Sequence, residues 1–233
     1  MSFVVPAVLP SSREDFEQKL ALLTKIPSVD RIQIDVVDGR FAAPASWPYS
    51  APMELRHMVA RGDMLPELDR IAYEVDLMCF DVLHAVDDWL ALGVSRLTFH
   101  AESATDLPRL LASARTRHEN GLISFGCALN TVSNLALIES CIDQIEYVQF
   151  MGIERIGRQG QPFDPRVLEK VGTFSAQHPD IAIQVDGGVS LENARTLVAL
   201  GVSHLVIGSA ILRAADPAAA LAAFEALETP YGV

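Results

Sequence analysis

Four short stretches place side chains capable of chemistry at the ends of apolar runs. In Gln33-Ile34-Asp35-Val36-Val37-Asp38-Gly39, alternation puts Gln33 and Asp35 on the same side of an extended segment. A carboxylate inside such a run is costly unless it is hydrogen-bonded, paired with a cation or bound to a metal. Asp35 is therefore a candidate for chemistry, whereas Asp38-Gly39 reads as a turn start. Tyr73-Glu74-Val75-Asp76-Leu77-Met78 repeats the pattern with Glu74 and Asp76 on one face, a solvated strand-end pair being the other reading. Gln184-Val185-Asp186-Gly187-Gly188-Val189-Ser190 ends an apolar run in Asp, two glycines and a helix start, and Val206-Ile207-Gly208-Ser209-Ala210 ends the next run similarly. Glycines let backbone approach an anion, and the free N–H groups of a new helix supply donors. Asp-Gly-Gly alone is a common turn. Two successive strand–Gly–helix junctions at Gly187, Gly188, Gly208 and Ser209 match the phosphate cup that barrels build after strands seven and eight. His100 closes another run in Thr98-Phe99-His100-Ala101-Glu102, where acid–base work and a structural hydrogen bond are both open. The other histidines (57, 84, 118, 178 and 204) carry no assigned role.

The elements that must position these groups alternate from end to end. Eight apolar runs read as strands: Phe3–Leu9, Arg31–Val36, Ala72–Met78, Arg96–His100, Leu122–Leu129, Tyr147–Met151, Ile181–Val185 and His204–Ile207. Between them, Glu14–Leu23, Val82–Leu92, Leu107–His118, Pro165–Ser175, Leu191–Leu200 and Pro217–Leu227 have helical periodicity. Ser11-Ser12-Arg13-Glu14 has capping-box spacing, and Ser190 stands in a similar position before Leu191. Near-continuously apolar strands separated by helices imply a parallel sheet covered by helices. An open doubly wound sheet would alternate in the same way. Length favours the barrel: 233 residues is the size of one α/β barrel, and the polar residues cluster after the strands, where a barrel gathers them on one face. The expected architecture is one (β/α)₈ TIM barrel domain over residues 1–233, with Asp38–Pro52 as a loop across that face.

A net charge of −12 argues against nucleic acid as a partner. It does not disfavour a small phosphate, which backbone N–H groups can hold. No run of about 18 apolar residues is free of charge, so no membrane span is expected. The first residues have no basic segment before their apolar run and read as a buried strand, not a signal peptide. Cys79, Cys127 and Cys141 have neither metal nor redox spacing and are expected as reduced, buried thiols of a cytoplasmic protein.

With these residues in place, the chain resembles the ribulose-phosphate 3-epimerase family of phosphate-binding (β/α)₈ barrels. The matching motifs are Pro6-Ala7-Val8-Leu9, Ile34-Asp35-Val36-Val37-Asp38-Gly39-Arg40-Phe41, Asp76-Leu77-Met78, Thr98-Phe99-His100-Ala101-Glu102, Ala128-Leu129-Asn130, Gly160-Gln161-Pro162-Phe163, Val185-Asp186-Gly187-Gly188-Val189 and Gly208-Ser209-Ala210-Ile211, in family order. The resemblance implies an isomerase that moves a proton on and off C3 of a ketopentose phosphate through an enediolate. Asp35 and Asp186 would be its acid and base, beside a divalent metal. Two departures stand out. The family's two metal-site histidines are replaced by Gln33 and Asp76, leaving Gln33, Asp35, Asp76 and Asp186 as an all-oxygen set. Such a set suits Mg²⁺ or Mn²⁺ better than Zn²⁺ or Fe²⁺, or serves no metal at all. The family's Pro-Gly-Phe-Gly-Gly-Gln loop is replaced by a stretch with fewer glycines that runs from Gly152 and carries Arg155 and Arg158, grouped with His100 and Met78 as further pocket candidates. The alternatives are a non-catalytic sugar-phosphate-binding relative and a sister decarboxylase or aldolase. Met78 stands where that sister group carries a lysine. Family relatives are often oligomeric, and a homo-oligomer remains open here.

Overall fold

Branched and aromatic residues facing outward, and polar or small ones facing inward, produce the strands of the computed structural model, which describes residues 3–118 and 123–227. The strands are β1 (Val4–Val8), β2 (Arg31–Val37), β3 (Ala72–Met78), β4 (Arg96–His100), β5 (Ser124–Leu129), β6 (Tyr147–Met151), β7 (Ala182–Asp186) and β8 (His204–Ile207). Every neighbouring pair is parallel, and β1 pairs with both β2 (Ala7 opposite Gln33) and β8 (Val5 opposite Val206), so the sheet closes into a barrel. The helices are α1 (Arg13–Leu23), α2 (Pro52–Arg61), α3 (Val82–Ala91), α4 (Leu107–Arg117), α5 (Ala136–Glu139), α6 (Arg166–Gln177), α7 (Leu191–Ala199), α8 (Ser209–Leu212) and α9 (Pro217–Glu225). This is a (β/α)₈ TIM barrel. No helix among the described residues is long and apolar enough to cross a membrane.

The main hydrophobic core lies outside the barrel, between the strands' outer faces and the helices. Ile34, Val36, Val75, Leu77, Phe99, Phe150 and Val185 belong to it. Trp47 is fully buried in this layer, stacked on Phe16 with ring centroids 4.7 Å apart and edge-on to Trp89. The interior is instead polar: Gln33, Glu74, Asp76, Thr98, His100, Gln149 and Gln184 are all fully buried. Burial without partners would be prohibitive, so Gln33, Glu74, Asp76, Gln149 and Gln184 bond to one another, Thr98 bonds to Tyr147, and His100 stands in an ion pair with Asp76. Arg96 Nε donates to Glu74 Oε2 at 2.8 Å, and its guanidinium lies 3.9 Å from the Tyr147 ring centre. Gly126 makes room for that ring, since a Cβ there would sit 2.3 Å from it.

Several elements differ from expectation. The capping box of α1 is displaced by one residue: Ser12 is the N-cap and accepts from Asp15 N, while Asp15 Oδ2 accepts from Ser11 N at 2.7 Å. That of α7 forms at Ser190 as expected, with Asn193 as its reciprocal partner. β7 runs one residue further than expected and includes Asp186, and β5 begins at Ser124, Leu122 lying outside the described residues. Helices α2, α5 and α8 are additions to the expected set. Helix α2 buries only Leu55 and Met58, too few for a clear period, although Pro52 at its start and the left-handed Gly62 at its end are readable signals. The segment 38–52 crosses the top only in its first half. Trp47 N then donates to Pro10 O at 2.9 Å and pins the rest to the barrel's flank.

Candidate active site

Strand register brings the acidic residues together. Asp35 is the direct neighbour of Asp76 on β3, and Asp186 ends β7 beside Met151. Because all these side chains point inward, Asp35, Asp76 and Asp186 offer oxygens that lie within 4.8 Å of one another. A carboxamide layer lies directly beneath. Gln33 Nε2 donates to Asp35 Oδ1 at 2.8 Å and to Asp186 Oδ2 at 3.1 Å. Gln149 Nε2 donates to Asp76 Oδ2 at 3.0 Å. Both amide oxygens accept from Gln184 Nε2, at 3.0 and 2.8 Å. Carboxylate oxygens thus face the centre, and Gln33 presents its nitrogen to them.

Burial, followed by the charges of Asp186 and Asp76, holds the Asp35 carboxyl well above the usual range, with the Gln33 bond acting in the opposite direction. Burial and the Asp76 charge push Asp186 up to about 8. Like charges packed this closely do not all ionise unaided. On the other side of Asp76, His100 Nε2 lies 3.0 Å from Asp76 Oδ1. Burial alone would lower this imidazole, but the Asp76 charge and bond, together with Glu102, raise it to about 10. Glu102 is held down at about 2: burial opposes ionisation and is outweighed by His100, Ser133 and the Asn130 N–H. His100 has no exposed surface and packs 5.2 Å from the Phe41 ring.

Above the cluster opens a cavity of about 190 Å³. Asp35, Met78, Asp186, Gly187, Gly188, Gly208, Ser209 and Arg158 all line it. Gln33, Asp76 and His100 lie beneath or behind its wall. Gly152 is a backbone spacer, since a Cβ there would meet the Gly187 carbonyl oxygen at 2.3 Å. Arg155 is exposed and is not among the lining residues, whereas Arg158 reaches the cavity with Nε bonded to Ala43 O at 3.1 Å. Asp38, the expected turn residue, caps its loop by accepting from Arg40 N and Phe41 N and bridges to Phe80 N. Sequence reasoning missed Gln149 and Gln159. Gln149 carried the same signal as Glu74, a polar residue inside an apolar strand; Gln159, in a loop, carried none.

These features define a class: a (β/α)₈ barrel with carboxylates at the C-terminal strand ends and a glycine-lined cup after strands seven and eight. Residues 3–212 match the Ribulose-phosphate 3 epimerase family, and the chain belongs to that family. Among its relatives, ribulose-phosphate 3-epimerase of Schizosaccharomyces pombe (strain 972) is 24% identical, covering 92% of this chain and 88% of its own. The ribulose-phosphate 3-epimerase of Escherichia coli (strain K12) is 29% identical, covering 80% of this chain and 79% of its own. The barrel is also similar in fold to KGPDC from Streptococcus mutans, with a TM-score of 0.71, 15% identity and coverage of 96% of this chain and 95% of that one. A 3-hexulose-6-phosphate synthase gives 0.68 at 19% identity, covering 98% of this chain and 100% of its own.

Proposed function

We propose that this protein epimerises a ketopentose phosphate of the ribulose 5-phosphate type at C3. One observation carries the reading: Asp35 of β2 and Asp186 of β7 open into the same cavity as the glycines of the β7 and β8 junctions. A sugar phosphate anchored by its phosphate at Gly187, Gly188, Gly208 and Ser209 would present its carbon chain to both carboxyl groups. One carboxylate takes the C3 proton from one face, leaving an enediolate, and the other, as the acid, returns a proton to the opposite face. Burial raises both carboxyl groups above the usual carboxylate range, Asp186 to about 8, which suits them to hold a proton that a substrate can receive.

Asp35, Asp76 and Asp186 fit a divalent cation: three carboxylate oxygens converge with amide donors beneath them and repel one another without it. When bound there, the cation supplies positive charge beside the oxyanion that forms as the proton leaves. With oxygen donors alone, Mg²⁺ or Mn²⁺ is favoured over Zn²⁺ or Fe²⁺. Met78 packs against Val37 and Ala42, so no ammonium stands at that position to support a decarboxylase.

The test is deuterium exchange at C3 of ribulose 5-phosphate in D₂O, followed by NMR with chelator and then with Mg²⁺ or Mn²⁺. Metal-dependent exchange with xylulose 5-phosphate formation is expected. Tight sugar-phosphate binding without exchange under any metal would refute the epimerase and leave a binding protein.

A further inference from the structure

The loop between β6 and α6 sends Arg158 and Gln159 into the cavity. Arg158 donates from Nε to Ala43 O and keeps the N–H groups of its other two nitrogens. Gln159 reaches across to the β8 junction. Its Nε2 lies 3.3 Å from Ala7 O, and a Cβ on Gly208 would lie only 2.4 Å from that nitrogen. The carboxamide therefore rests on the bare backbone of Gly208, a place it can occupy only because that residue has no side chain. The loop around it is built to hold this pose. Gly157 and Gly160 bracket the two side chains with φ of +80° and +77°. Gln161 Nε2 donates to Arg158 O at 2.8 Å and also to Arg155 O.

We infer that Gln159 reads the anionic group of the ligand: its side-chain N–H donates to a phosphate oxygen seated beside the carboxamide, between the Gly187–Gly188 turn and Ser209. The inference rests on the reading of this cavity as a sugar-phosphate site and adds the residue that decides selectivity at its phosphate end. A primary amide has two N–H donors. Ala7 O takes one through a bond at the long end of the range, and the other is available to the cavity. The cup is otherwise lined largely by glycines and small residues, with the Arg158 cation at the same cavity, so the carboxamide supplies a neutral donor beside it. The side chain thereby favours phosphorylated ligands over the same sugar without phosphate.

Calorimetric titration of the full-length protein with ribulose 5-phosphate, inorganic phosphate and unphosphorylated ribulose tests this, comparing wild type with Gln159→Ala and Gln159→Glu. Loss of a hydrogen bond to a charged group should weaken both phosphate probes roughly 10- to 100-fold in Gln159→Ala. Ribulose binding should stay unchanged, and KM should rise while kcat holds. Gln159→Glu, which places an acceptor and a charge against the phosphate, should bind more weakly still. Equal or tighter phosphate binding by Gln159→Ala would overturn the assignment and make the carboxamide a plug. A wild-type protein that binds neither phosphate probe would overturn the cup itself, a distinct result.

Discussion

Asp76 has no exposed surface, yet two partners hold it: His100 Nε2 as an ion pair 3.0 Å from one oxygen, and Gln149 Nε2 as a hydrogen-bond donor at 3.0 Å to the other. Such a carboxylate is held by its partners, whereas Asp35 and Asp186 keep a small opening to the cavity, 6% and 7% exposed. The difference divides their expected behaviour. Asp35→Asn or Asp186→Asn keeps the shape and removes the carboxyl proposed to transfer the proton, so each should lower kcat by roughly 10² to 10⁴ while the far-ultraviolet spectrum stays native. Near-normal turnover in either variant would remove that residue from the chemistry. Gln149→Leu acts from below. It leaves Asp76 and Asp186 short of a donor, while the two N–H groups of Gln184 keep Gln33 and Glu74 as acceptors. A loss of about 1–3 kcal/mol in urea unfolding is expected, and an unchanged midpoint would show that the lattice does not need this amide.

At the scale of the element, the junction after β7 depends on two glycines that no other residue could replace cheaply. Gly188 has φ +68°, and a Cβ there would sit 2.6 Å from the backbone of Phe163. Gly188→Ala should therefore displace the β6–α6 loop and weaken ligand binding more than it lowers stability, which titration and melting of the same sample can compare. Much of this was legible beforehand. Alternation in β2 and β3 placed Gln33 with Asp35 and Glu74 with Asp76, because period-2 geometry is strict once a strand is granted. The junction glycines were legible because few other residues follow a strand so closely. What escaped was what depends on distant chain. Trp47 reads as loop, yet it is fully buried between Phe16 and Trp89, and only the closed barrel brings α1 and α3 to it. Trp47→Ala should cost about 3–5 kcal/mol, the range for an emptied aromatic site in a core. A small loss would mean the segment 38–52 repacks. Gln159 escaped for the same reason: nothing local tells a loop glutamine that its amide will rest on Gly208.

Across the whole molecule, the barrel interior is sorted by charge along its axis. Three carboxylates sit at the C-terminal strand ends, while Arg31 and Arg96 begin their strands at the other end, with Glu74 bonded to Arg96 between them. His204, at the start of β8, shares the basic end. Burial, then the charges of Arg31 and Arg96, pushes its imidazole down to about 3. The sign follows from proton counting. Unfolded, this histidine protonates near pH 6.5; folded, it stays neutral until about 3, so between those values the unfolded chain binds the extra proton. Stability from this group is thus complete above about pH 6.5 and is lost progressively as pH falls toward 3. Glu102, held near 2, loses its own contribution mainly below about pH 4.3, but His100 at about 10 and Asp186 at about 8 change their proton balance between about pH 5 and 7.5, so only the difference between wild type and a His204 variant isolates this histidine. Urea midpoints at pH 7.5 and pH 5.0, for wild type and His204→Asn, provide the measurement. The excess of the wild-type midpoint over that of the variant should shrink from pH 7.5 to pH 5.0, because other titrating groups, His100 and Asp186 among them, are common to both proteins and cancel in the difference. Parallel shifts in the two proteins would mean that the basic end of the barrel admits a charged imidazole, and that its arginines lie in a more solvated setting than their burial implies.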